Sequence, residues 1–242
     1  MTARQARGKQ RDSHADFLKR LVVHVALDAD GMMNRISRRS RFSAATRCRA
    51  RTVVFLGLFA FSGLAQSASV DPTKLVDSAR QQIGVTRSYD PTYRTLAYPN
   101  GDVPRETGVC SDVVVRALRG QGADLQKELH EDMRDNFAQY PKKWGLKKPD
   151  SNIDHRRVLN LMTYFTRKGH DLPVTDKPAD YQAGDIVTWD LGRGITHIGI
   201  VSGRVGAKKA PLIIHNIGNG TQEEDILFQY RIIGHYRLSK RS

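Results

Sequence analysis

Past Pro178 the chain changes its period. Upstream, apolar residues recur at helical spacing: Leu75, Val76, Ala79 and Ile83 after Asp71-Pro72, and Val158, Leu161, Met162 and Phe165 within 154–168. Downstream they come in short runs bounded by glycine: DIVTW (185–189), THIGIVSG (196–203), PLIIHN (211–216) and RIIGHYRL (231–238). Such runs are too short for helices and are divided by turn residues. Helices first and a strand meander second predict an α+β domain, with N-terminal helices packed on an antiparallel β-sheet.

The first quarter of the 242 residues does not take part in that pattern. TVVFLGLFAFSGLA (52–65) is an uncharged apolar run of 14 residues preceded by Arg38, Arg39, Arg41, Arg47, Arg49 and Arg51. This is the layout of a secretory signal, and it falls short of the roughly 20 residues that cross a bilayer as a helix. Small residues at Gly63, Ala65, Ser67 and Ala68 place cleavage after Ala65 or Ala68, and no cysteine near that junction would accept a lipid. The expectation is a signal peptide over 32–68, starting at Met32 or Met33. Residues 1–31 are then a mis-assigned N-terminal extension, and 69–242 form a single domain. The product is periplasmic or secreted, with no stable membrane anchor after cleavage.

Charge divides the chain at the same place. Residues 1–65 carry 13 basic and 4 acidic residues, net +9 of the chain's +14, which leaves +5 on the remainder. A modest positive charge suits an anionic wall or membrane surface. Without a recognition motif it is no nucleic-acid footprint. About 175 residues remain, enough for one sizeable core.

Within that domain, residues 85–108 are rich in Tyr, Pro, Gly and Asp without sustained period, and a loop of this length is a candidate wall of a binding cleft. The segment CSDVVVRALRG (110–120) admits a strand through Val113, Val114 and Val115. The face made by Cys110, Val114, Ala117 and Leu118, closed by Gly120 and Gly122, favours a helix. A polar amphipathic helix is expected over 124–139, and the basic stretch YPKKWGLKKPDSN (140–152) is a solvated connection.

Cysteine usage narrows the chemistry. Cys48 lies in the leader, so Cys110 is a lone thiol in a compartment that favours disulfides. At a helix start, sulfur sits near unsatisfied N–H groups and the positive end of the macrodipole, which favour thiolate, while Asp112 nearby opposes it. The strands offer His197 and His215 as base and orienter if THIGIVSG and PLIIHN pair as antiparallel neighbours. Gly199, on the face of His197, leaves room beside it. The plain alternatives are a small buried cysteine and hydrogen-bonded core histidines.

YQAGDIVTWDLGRGITHIGIVSG followed by LIIHN resembles the pattern of NlpC-type cysteine peptidases, a papain-like group acting on bacterial cell-wall peptides, with CSDVVV where their Cys-Ser helix begins. More closely, GVCSDVVVRALRGQGADLQ, IDHRRVLNLMTYF, GDIVTW, THIGIV, HNIG and GHYR together resemble the family named domain of unknown function 1287, over 75–238. The resemblance implies Cys110 as nucleophile, His197 as general base and His215 as third residue. It implies Tyr89, Tyr93, Asp112, His155 and Arg156 as candidate substrate contacts, with no cofactor. Val109 before the cysteine and Asp112 after it depart from the wider group, which has Asp or Asn and a small residue there.

The expected function is thiol-dependent cleavage of an amide in a peptidoglycan stem peptide by a monomer. The rivals are acyl transfer through the same thioester, a non-catalytic wall-binding module, and a metal site built from His197, His215 and Asp185.

Overall fold

The structure is a computed structural model and describes residues 70–238. The expected extension, signal peptide and cleavage sites lie outside those residues. Among the described residues, no helix is long and apolar enough to cross a membrane.

Helix α1 (Pro72–Arg80) starts where Asp71 accepts from the N–H groups of Thr73 and Lys74, with proline at the first turn. It buries Leu75, Val76 and Ala79. It stops short of Ile83, which is 40% exposed. The long loop then closes on itself through two short parallel strands, β1 (Ser88–Tyr89) and β2 (Thr107–Gly108). Between them it is tied down by side chains: Asn100 N–H donates to Asp124 and Gly101 N–H to Gln126.

Helix α2 (Cys110–Arg119) follows β2 at once, and Val113, Val114 and Val115 are all buried in it. A helix covered on every side accommodates three successive valines as a strand would. Helix α3 (Leu125–Asp135) is capped by Asp124 and ends in a 3₁₀ turn at 137–139. The helix expected to begin at Asp154 is divided: a 3₁₀ turn, Asp154–Arg156, precedes α4 (Val158–Arg167).

Strands β3 (Ile186–Asp190), β4 (Thr196–Val205), β5 (Pro211–Asn216), β6 (Thr221–Glu224) and β7 (Arg231–Tyr236) make one antiparallel sheet in the order β6-β5-β4-β3-β7. The expected meander therefore holds from β3 to β6, while β7 crosses back to pair with β3. Strand β6 is polar throughout and gave no periodic signal.

Both faces of the sheet are buried. Ile186, Ile198, Ile200 and Ile214 pack against the helices with Val114, Leu118, Leu129 and Phe165. Val187, Trp189, Val201 and Ile213 pack on the opposite side against Tyr181, Ile226 and Leu227. Burial on two faces is why these strands read as continuous apolar runs rather than alternating ones.

Candidate active site

The first turn of α2 has no side-chain acceptor at its cap, Val109. Asp112 supplies one from inside the turn, its Oδ2 accepting the Val109 N–H at 2.7 Å. The same carboxylate is held by Arg156, whose Nε and Nη2 donate to it at 3.0 Å each. Arg156 also donates to the carbonyls of Thr92 and Asp90. Ser111 Oγ donates to the Arg156 carbonyl at 2.8 Å. A negative group at a helix N-terminus is favourably placed in the dipole field. Here it also clamps the start of α2 to the long loop and to the 3₁₀ turn.

Asp112 and Arg156 thus spend their charges on each other in the interior rather than on a substrate-facing surface. His155 is likewise interior: burial brings its pKa down to about 4, and its Nδ1 lacks a hydrogen-bond partner. Tyr93 lies out on the surface, its hydroxyl donating to Asp150 and accepting from Asn152.

Of the expected substrate contacts, Tyr89 is the one at the sulfur. The backbone N–H groups of Ile198 and Ser111 and the Tyr89 hydroxyl lie beside the Cys110 sulfur. These donors favour thiolate, yet burial outweighs them and, with the nearby Asp112 charge, lifts the thiol to about 11. Burial also raises Tyr89, reinforced by Cys110 and Asp112. Cys110 is 3% exposed.

The contact with Ile198 shows how sulfur meets the sheet. Strands β4 and β5 pair from Ile200 and Ile214 onward, whereas Thr196 to Gly199 of β4 pair only with β3. The sulfur thus meets β4 in the stretch that β5 leaves unpaired. Asn216, at the end of β5, donates instead to the carbonyls of Gly108 (2.9 Å) and Ser88 (3.2 Å). It ties the residues just before Cys110 to the histidine strand.

The two histidines meet as the strand pairing predicts. His197 Nε2 and His215 Nδ1 are 2.9 Å apart, with the rings edge to face. Trp189, opposite His197 in the register, lies beside it. The space at Gly199 serves a different neighbour from the one expected. A Cβ there would meet Ile213 Cγ2 at 2.6 Å and His215 Cβ at 3.1 Å, so the missing side chain makes room for His215 and Ile213. On the far side of His215, its Nε2 is 3.0 Å from Glu224 Oε2, off the axis of a straight hydrogen bond.

Glu224 and Asn216 carried no chemical signature in the sequence. Asn216 does adjoin His215, but what each residue touches depends on which strand lies beside which. Asp185, the third member of the metal alternative, is engaged elsewhere, accepting from His235 Nε2 at 2.8 Å and from Arg237. A groove of about 570 Å³ between α4 and β7, lined by Leu159, Met162, Leu172 and Ile233 among others, includes none of Cys110, His197 or His215.

Fold and site together define an α+β domain that sets a buried cysteine, at a helix N-terminus, against a strand pair carrying two hydrogen-bonded histidines. The chain belongs to the DUF1287 family, a domain of unknown function whose profile matches residues 76–238. A protein of Escherichia coli (strain K12) described as uncharacterized protein YijF is 62% identical over 163 residues, covering 67% of this chain and 80% of that protein. No solved structure matches.

Proposed function

We propose that the protein is an exported thiol-dependent hydrolase of NlpC-like, papain-type design that cleaves an amide bond in a peptidoglycan stem peptide. The observation that carries this reading is the 2.9 Å contact between His197 and His215 in strands whose Ile198 N–H lies beside the Cys110 sulfur. Nucleophile, base and orienter follow that order in covalent acyl transfer.

In this scheme His197 takes the thiol proton on Nδ1 as sulfur attacks the carbonyl carbon, since a buried thiol at about 11 does not ionise beforehand at neutral pH. The C–S bond forms while the carbonyl electron pair moves to oxygen, where the Cys110 backbone N–H at the helix start is a donor. The C–N bond then breaks, and His197 returns the proton to the leaving amine. Water hydrolyses the thioester through the same imidazole, which restores the thiol.

Incubating the purified protein with muropeptides and following new amine groups tests the scheme. Release by wild type and loss in Cys110→Ala is the expected result, and identical product profiles would refute it. The burial of Cys110 and its raised pKa favour one other reading, a wall-binding module without chemistry. That reading predicts muropeptide binding unchanged by Cys110→Ala and no turnover by either protein.

A further inference from the structure

We infer that Glu224 is a fourth member of this site, a positioning residue that fixes which way the hydrogens run along the two imidazoles. Its purpose rests on the hydrolase reading, although its chemistry does not. Ionised, a carboxylate offers only acceptors. Although the 3.0 Å approach of Glu224 Oε2 lies off the hydrogen-bond axis, its negative charge favours hydrogen on the His215 nitrogen nearest it, Nε2. A neutral His215 then presents a bare Nδ1, which must accept, so the hydrogen in the 2.9 Å contact belongs to His197 Nε2. A neutral His197 with its hydrogen on Nε2 has its lone pair on Nδ1. That is the tautomer a general base for sulfur requires.

The 2.9 Å contact allows one other neutral arrangement. The reverse one puts hydrogen on His215 Nδ1 and His197 Nδ1, and it removes the base. The sheet register supports the assignment: Glu224 lies opposite Ile213 and Gln222 opposite His215, so Glu224, Ile213 and His215 share one face. The carboxylate is partly covered on that face, with 14% side-chain exposure against 0% for His215. Tyr230, raised chiefly by its own burial, also feels the Glu224 charge.

Long-range ¹⁵N spectra of the histidine rings at neutral pH read the tautomers without any need for turnover. The expected wild-type pattern is a pyrrole-type Nε2 and a pyridine-type Nδ1 on both His197 and His215. In Glu224→Gln, which keeps size and strand but adds an amide donor, both rings shift toward the reverse pattern. A wild-type spectrum already in the reverse pattern, or a variant spectrum unchanged from wild type, overturns the assignment.

Where muropeptide turnover is found, Glu224→Gln lowers kcat by about tenfold or more with KM unmoved, because Glu224 orients the base and does not touch substrate. An unchanged kcat overturns the assignment while the hydrolase reading stands. The expected spectra with no turnover by wild type do the opposite: they support the Glu224 assignment and refute the hydrolase.

Discussion

Removing Asp112 separates its two tasks, closing the first turn of α2 and neutralising Arg156. The ion pair is nearly sealed, with side-chain exposures of 2% for Arg156 and 4% for Asp112. Breaking such a pair from one side leaves a buried charge uncompensated, at a cost of about 3–5 kcal/mol. Asp112→Ala also strips the Val109 N–H of its acceptor, a smaller loss of about 1 kcal/mol. We therefore expect about 5 kcal/mol of destabilisation, which for a domain of this size lowers Tm by about 10–20 °C.

Urea denaturation of Asp112→Ala, Arg156→Met and the double variant completes a cycle. The double is expected to be more stable than the sum of the singles by about 2 kcal/mol or more, since the second substitution removes the charge that the first stranded. Additivity within about 0.5 kcal/mol would show that the two groups do not depend on each other, and the clamp on the Cys110 turn would then have to be abandoned.

Two further outcomes follow from the same region and from the sheet. His155 and Asp154 respond oppositely to acid: burial lowers His155 from 6.5 to about 4, and burial raises Asp154 from 3.8 to about 6. The His155 contribution is present above pH 6.5 and is lost as pH falls toward 4, whereas the Asp154 contribution is present below 3.8 and is lost as pH rises through 6. Going from pH 7 to 5, His155 removes about 2 kcal/mol and Asp154 restores about 1 kcal/mol. Urea midpoints should therefore rise on acidification in His155→Gln relative to wild type and fall more steeply in Asp154→Asn, and parallel slopes in all three would contradict the assignment. Gly199→Ala should cost about 1–3 kcal/mol and displace His215, visible in melting and in the His215 ring signals. A variant as stable as wild type with unmoved signals would show that the strands yield without cost.

The order of helices and strands was legible because it depends on local period and capping. Asp71-Pro72 starts α1, and the glycine-bounded runs place β3, β4, β5 and β7 to within a residue or two. Cys110, His197 and His215 stood out because unusual residue types at a helix start and in apolar strands are visible one residue at a time. Family membership was legible for a related reason: six motifs in order survive in the sequence without any reference to space.

What the tertiary structure alone decided is what each of those groups touches. Asp112 opposes the thiolate, as its place in the sequence implies, and it is also the internal cap of α2, a role not visible there because its partner Arg156 is 44 residues away. Gly199 looked like space for His197 and is space for His215, across the sheet. Strand β6, with no apolar period of its own, brings Glu224 to His215 only through pairing with β5. A sequence records preferences of neighbours along the chain, while hydrogen-bond partners and burial are set by contacts between distant segments, and those exist only once the sheet order is fixed.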